Sequence, residues 1–170
     1  MTAIGMTGHQ GLTPETEILV GRAITAELKS VRSLAGITSL AEGADQLFAE
    51  HVLAVGGRLT VVVPAADYLW AFSDDSAREQ YERLLARAEE VVPLPFEKSS
   101  EEAYWAAGCE VVDRCDRLLA VWNGKPSGGL GGTADVVAYA REHDRPTVVI
   151  WPPGARRLND APPRDQATLS

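Results

Sequence analysis

The sequence predicts an α/β fold in which a parallel sheet of about six strands is covered by helices on both faces. Short apolar or β-branched runs alternate with helical patterns from residue 2 to residue 151, which is typical of parallel strands joined by crossover helices. Some runs are apolar at every position, such as Leu118-Leu119-Ala120-Val121, as expected for strands buried on both faces. We therefore predict one three-layer, Rossmann-like domain over residues 1–154.

Six segments have the length and composition of strands. Each is short, rich in apolar and β-branched residues, and bounded by glycine, proline or a helical pattern. The predicted strands cover residues 2–6, 36–39, 58–63, 90–92, 117–122 and 146–151.

Five helices are predicted between these strands. The first opens at Pro14 with Thr13 as its cap, because proline suits the first turn and a threonine hydroxyl can accept a hydrogen bond there. The fourth opens near Ser100 with Glu101 in its first turn, where a negative charge is favourable. The predicted helices cover residues 14–30, 44–55, 74–88, 100–115 and 132–143.

The last part of the chain carries no periodic pattern. After Pro152 the sequence is rich in proline, alanine, arginine and aspartate. Such a segment buries little apolar surface, so we predict a flexible C-terminal tail over residues 155–170.

Composition argues against several classes of protein. Lysine and arginine number 16 against 24 aspartates and glutamates, for a net charge of -8, which opposes nucleic-acid binding. No apolar run approaches the roughly 20 residues of a membrane helix. The first eleven residues contain no lysine or arginine, unlike a secretory signal. We expect a cytoplasmic protein without a membrane contact.

Metal chemistry is not indicated either. The two cysteines, Cys109 and Cys115, are six residues apart and lack metal-binding or redox spacing. We expect no metal and no cofactor, and a nucleotide as ligand instead. A small anion is compatible with the net charge, because backbone N–H groups can hold a phosphate. A homo-oligomer is compatible with the sequence as well.

A glycine-rich loop is the strongest functional signal. It follows the fifth predicted strand and runs directly into a helix. Glycine permits close approach of the backbone, and a helix N-terminus offers unpaired N–H groups with a partial positive charge. The alternative is a flexible turn in which Thr133 or Asp135 only caps the helix. We predict that the ligand-binding residues of this segment are Asn123, Gly128, Gly129, Gly131, Gly132 and Thr133.

A second loop follows the first strand and contains Thr7, Gly8 and His9. His9 can bond a phosphate or a sugar hydroxyl, or act as an acid or base near neutral pH. In the alternative interpretation Gly8 and Gly11 only turn the chain and His9 is solvated.

A third loop contributes Gly43 and Asp45, after the second strand. Asp45 either contacts a ribose hydroxyl or only stabilises the start of a helix. After the third strand, Tyr68 and Trp70 can stack a base, although aromatic residues more often pack in a core.

These loops, in this order, resemble the SLOG superfamily, which includes LOG-type phosphoribohydrolases, the DprA family of DNA-processing proteins and nucleotide-sensing domains. Thr7-Gly8-His9 is similar to the family's first loop. Residues 40–45 and 57–62 are similar to the DprA-like branch, and residues 116–133 to the phosphate-binding segment. The resemblance implies a nucleotide-derived ligand.

Departures from the LOG signature PGGxGTxxE bear on catalysis. Ser127 replaces the proline, and Val136 stands where the catalytic glutamate belongs. Residues 105–109 lack the arginine of those enzymes. Deoxyribosyltransferases, which the segment also resembles, place a glutamate at the same position as Val136. The leading prediction is therefore a nucleotide-binding or nucleotide-sensing protein.

Two alternatives stay open. The first is a hydrolase or transferase acting on the N-glycosidic bond of a nucleotide, with Asp135, His9 or Asp45 as acid or base. The second is a DNA-associated module, which the net charge opposes, as does the lack of basic residues at Ala107 and Cys109.

Overall fold

We describe the protein from a computed structural model, which describes residues 1–127 and 129–160. Within that part of the chain, six strands and five α-helices alternate, and a short 3-10 helix (Tyr68–Ala71) follows the third strand. The strands are β1 (Thr2–Gly8), β2 (Leu34–Thr38), β3 (Arg58–Val63), β4 (Glu90–Pro93), β5 (Arg117–Val121) and β6 (Thr147–Ile150). The α-helices are α1 (Pro14–Leu28), α2 (Ala44–Ala54), α3 (Asp75–Leu85), α4 (Glu101–Arg114) and α5 (Thr133–Glu142).

The strands form one parallel sheet in the order β4-β3-β2-β1-β5-β6. The predicted α/β class and strand number are confirmed. The chain adds strands from β1 to β4 in one direction and then returns to place β5 on the other side of β1. In an open parallel sheet this topological switch point leaves a crevice at the carboxyl ends of the two strands.

The core has a layer on each face of the sheet. Leu119 packs with Phe48 of α2 and Ile24 of α1, whereas the adjacent Leu118 packs with Val111 of α4 on the opposite face. Successive side chains of a strand point to opposite faces. The continuously apolar sequence of β5 therefore reflects burial on both sides, as predicted.

Residues 155–160 make backbone contacts with the segment that follows β1. Leu158 N–H donates to Gly11 O at 2.7 Å and Thr13 N–H donates to Arg156 O at 3.2 Å. Leu12 and Arg157 form an antiparallel bridge. These contacts are made by backbone groups and leave no apolar period in the sequence. The remainder of the predicted tail, residues 161–170, lies outside the described residues. We call residues 155–160 the strap.

Three helices begin with the side-chain caps that their sequences favour. Thr13, Asp74 and Ser100 accept hydrogen bonds from Thr16, Ala77 and Ala103 N–H groups at 3.2, 2.8 and 3.1 Å.

No helix within residues 1–127 and 129–160 is long and apolar enough to cross a membrane.

Candidate functional site

A cleft of about 630 Å³ lies at the carboxyl ends of the strands, over the switch point between β1 and β5. This volume is typical of small-molecule sites. Of the described ligand-binding candidates, Gly43 and Asn123 are not among the residues that line the cleft, and neither is the catalytic candidate Asp135. Gly128 lies outside the described residues. The candidates that line the cleft are Thr7, Gly8, His9, Asp45, Gly129, Gly131, Gly132 and Thr133.

The start of α5 opens on the cleft. Gly132 is the cap residue and, in the described chain, makes no side-chain hydrogen bond to the first turn. Gly132, Thr133 and Ala134 all line the cleft. The first N–H groups of a helix have no partner within the helix and carry partial positive charge. This end of α5 is therefore suited to an anion.

Ser127 adds a hydroxyl to the same wall. Its Oγ is buried and, among the residues that the structure describes, has no hydrogen-bond partner. A Cβ atom on Gly132 would lie 2.5 Å from this oxygen, so the hydroxyl lies directly against the start of α5. A buried polar group without a partner is uncommon in proteins.

Gly131 and Asp135 determine the conformation of the glycine-rich loop. Gly131 has a φ of +84°, and a Cβ atom there would lie 2.8 Å from Trp105 N of α4. Asp135 accepts a hydrogen bond from Gly131 N–H at 3.0 Å. A larger residue at Gly131 therefore disturbs packing as well as any ligand, and Asp135 holds the loop in place.

His9 is fixed by the loop after β5. Asn123 N–H donates to His9 Nε2 at 3.1 Å, so this nitrogen carries no proton. Burial lowers the pKa of His9, and an interaction with the Asn123 side chain offsets part of that effect. Asn123 Oδ1 accepts from Lys125 N–H at 3.0 Å. The histidine is thus a neutral acceptor that connects the loop after β1 with the loop after β5. Asn123 holds His9 through its N–H group and Lys125 through its side-chain oxygen.

Gly8 and Gly43 allow two loops to touch. A Cβ atom on Gly8 would lie 2.5 Å from Ala44 Cβ, and one on Gly43 would lie 2.6 Å from His9 O. Ala44 N–H donates to His9 O at 3.2 Å. Packing between the β1 loop and the start of α2 is sufficient to explain both glycines.

Asp45 is a buried carboxyl group in the cleft wall, with 6% of its surface exposed. Burial raises the pKa of Asp45 from 3.8 to about 7, although hydrogen bonds from Ala41, Thr38 and Ser39 work in the opposite direction. The Ala41 N–H donates to Oδ2 at 3.2 Å. Both protonation states are populated near neutral pH, as an acid or base requires.

Aromatic side chains line the cleft near Asp45. Tyr68 is buried, and its ring makes edge contacts with Phe72 and Tyr104. Tyr104 is 37% exposed and lines the cleft. Trp70 is 72% exposed and lies under the Arg78 guanidinium at 5.6 Å instead. Tyr104 was not predicted, because its position on α4 carries no motif.

Apolar residues form the part of the cleft wall that α4 and α5 contribute. Val136 and Ala107 are each 2% exposed, and both line the cleft. A Cβ atom on Gly108 would lie 2.5 Å from Val136 Cγ2. Close packing of α4 on α5 therefore accounts for both the valine and the glycine.

Two basic residues that sequence reasoning missed also line the cleft, Lys125 and Arg157. Arg157 belongs to the strap, and Arg157 Nη2 donates to Gln10 O at 3.3 Å. Only the folding of the strap onto the β1 loop brings it to the cleft. Within the described residues, no cluster of three or more histidine, cysteine, aspartate or glutamate side chains is arranged for a metal ion.

No protein-family model matches the chain. No curated protein matches its sequence either. Solved structures do share the fold. DNA processing protein A (DprA) from Streptococcus pneumoniae superposes with a TM-score of 0.66 at 17% identity, over 89% of this chain and 51% of that one. The present chain thus spans about half the length of that protein.

The Helicobacter pylori DprA, described with single-stranded DNA, superposes with a TM-score of 0.66 at 15% identity over 94% and 68% of the two chains. The molybdenum cofactor carrier protein of Chlamydomonas reinhardtii superposes with a TM-score of 0.54 at 15% identity over 87% and 74%. These neighbours confirm the Rossmann-like fold and the resemblance to DprA. At such identities the likeness extends to the fold alone.

Proposed function

We propose that this protein binds or senses a nucleotide-derived ligand and holds one of its phosphates at the start of α5. One observation carries the proposal: the buried Ser127 hydroxyl, without a partner in the described chain, lies against an uncapped helix start that opens on the cleft. A phosphate would accept hydrogen bonds from this hydroxyl, from Thr133 and from the first N–H groups of α5.

The rest of the cleft fits the other parts of a nucleotide. Asp45 and Glu42 line it and can accept hydrogen bonds from sugar hydroxyls. Tyr104 offers a partly exposed ring on which a base can stack, a contact that tolerates any base. The net charge of -8 matters little for a ligand held mainly by backbone groups.

The structural neighbours bind different ligands, so the comparison with them does not identify the ligand of this chain. The H. pylori DprA binds single-stranded DNA. A neighbour from Rippkaea orientalis binds molybdenum cofactor. It superposes with a TM-score of 0.51 at 16% identity, over 87% of this chain and 75% of that one. The expectation that this chain avoids nucleic acid rests on its charge, and the DprA neighbours do not support it. Single-stranded DNA and molybdenum cofactor are therefore both included in the tests below.

A catalytic role in N-glycosidic bond cleavage is the second candidate, and one observation favours it. Asp45 lines the cleft with a pKa of about 7, so it can give or take a proton under ordinary conditions. The apolar Val136 and Ala107 weigh against it, because no charge there stabilises a sugar cation.

The test combines ligand identification with two variants. Native mass spectrometry of protein purified from cells would report the mass of a bound nucleotide or of molybdenum cofactor. Calorimetry with AMP, NAD and ADP-ribose would then compare wild type with Ser127→Ala and Thr133→Val. We expect each variant to bind at least about ten-fold more weakly, as loss of a hydrogen bond to a charged group implies.

Ser30→Ala is the matched control, because Ser30 is exposed beyond the end of α1, away from the cleft. Equal affinity in wild type and both cleft variants would contradict the phosphate site. If the protein is retained on single-stranded DNA and this retention falls steeply as the salt concentration rises, the hypothesis of nucleic-acid binding is favoured instead.

A further inference from the structure

The strap holds the backbone of Arg157 in a defined place. Leu158 N–H donates to Gly11 O at 2.7 Å, and Leu12 pairs with Arg157 in an antiparallel bridge. Arg157 N–H donates to Asp160 Oδ2 at 2.8 Å. All these contacts use the backbone of Arg157 or of its neighbours. The position of the residue therefore does not depend on what its side chain does.

The side chain of Arg157 lines the cleft, and not all of its hydrogen-bond donors are used by the described residues. Its Nε is buried and lacks a hydrogen-bond partner in the described residues. The Nη2 atom reaches only a carbonyl oxygen, that of Gln10, at 3.3 Å. The ion pairs found within residues 1–127 and 129–160 do not include Arg157. Within the described part of the chain this guanidinium has no anionic partner, and a ligand can supply one.

Arg157 places a positive charge in the cleft beside the loop after β1. The neighbouring His9 is neutral, because its Nε2 accepts from Asn123 N–H. The start of α5 lines the same cleft and belongs to a different element, which packs against α4. The cleft thus has two anion-binding features carried by different segments of the chain.

We propose that Arg157 binds a second phosphoryl group, so that the ligand is a nucleoside diphosphate or a larger molecule with a diphosphate. This inference rests on the proposed function, in which the first phosphate occupies the start of α5. The planar guanidinium presents parallel donors that match two oxygens of a phosphate. The Arg157 side chain then selects diphosphates over monophosphates.

The experiment measures a ratio of affinities. Calorimetry would compare AMP, GMP, CMP and UMP with ADP, GDP, CDP and UDP, for wild type and Arg157→Gln. We expect wild type to bind the preferred diphosphate at least about ten-fold more tightly than its monophosphate. In Arg157→Gln we expect that preference to disappear, because diphosphate affinity falls by more than monophosphate affinity does. Arg157→Lys should retain part of it, because lysine keeps the charge but loses the paired donors.

Arg32→Gln is the control, since Arg32 is an exposed arginine just before β2, at the opposite end of the sheet. It should keep the wild-type ratio. Ser127→Ala should weaken both classes of nucleotide. A preference that survives in Arg157→Gln, with melting temperature unchanged, overturns the second subsite alone. Failure of wild type to bind any of the eight nucleotides, NAD or ADP-ribose overturns the proposed function as well.

Discussion

A Cβ atom on Gly43 would lie 2.6 Å from the carbonyl oxygen of His9, so the loops after β1 and β2 meet backbone to backbone. Gly43 also has a φ of +91°, a conformation that other residues rarely adopt. The contact sets the position of His9 at the cleft and of α2 behind it.

Gly43→Ala should therefore destabilise the protein by more than backbone strain alone, on the order of 2–4 kcal/mol. Gly124→Ala is the matched control, because Gly124 has a similar φ of +81° and the described chain has no atom within 4 Å of its Cβ position. Chemical denaturation of both variants measures the difference. Equal losses would mean that the two loops are not in close contact.

Asp45 makes the stability of the fold depend on pH. Its pKa is raised by burial from 3.8 to about 7, so the folded state binds a proton that the unfolded state releases. Stability therefore falls as pH rises from about 4 to about 7 and is constant above that range. The full effect is on the order of 4 kcal/mol.

Asp45→Asn removes this titration. We expect its stability relative to wild type to improve by about 2–3 kcal/mol between pH 5 and pH 8, measured by denaturation at both values. Asp144→Asn controls for removal of an exposed carboxylate, at a left-handed position with a φ of +53° that asparagine tolerates. A stability difference that stays the same at both pH values would contradict a buried, protonated Asp45.

Truncation after Gly154 should cost stability, although the sequence alone predicts none. The cut removes the hydrogen bonds from the strap to Gly11 and Thr13 and the bond from Arg156 N–H to Thr16 Oγ1 at 2.7 Å. We expect a melting temperature lower by several degrees, about 4 °C or more. Truncation after Asp160 keeps these bonds and is the comparison. If both truncated proteins melt alike, the strap adds nothing.

Hydrolysis of nucleoside monophosphates should be at or near background. Val136 and Ala107 leave an apolar surface in the cleft wall, and Asp135 is engaged with Gly131 N–H. Release of free base from AMP would be followed by chromatography. Turnover near about 1 per second, an ordinary enzyme rate, would refute the prediction, and its loss in Asp45→Asn would then identify the acid.

Much of the fold follows from the sequence, because burial leaves periodic patterns in it. The predicted strand at 58–63 matches β3, and the predicted helix at 132–143 contains α5. Strand β1 extends two residues past the prediction, to Gly8, because Gly8 pairs with Val121. The 3-10 helix at Tyr68–Ala71 was not predicted, since it is too short for a helical period.

The sequence by itself determined the alternation of strands and helices, the glycine loop and the absence of a glutamate at Val136, because each depends on residue type or on local periodicity. Only the tertiary structure decided what the polar residues do. Asp135 holds the loop, Asp45 is buried, and Arg157 reaches the cleft through a strap attached by backbone hydrogen bonds. Burial and long-range backbone pairing depend on what the rest of the chain brings alongside a residue, and they leave no pattern in its own neighbourhood.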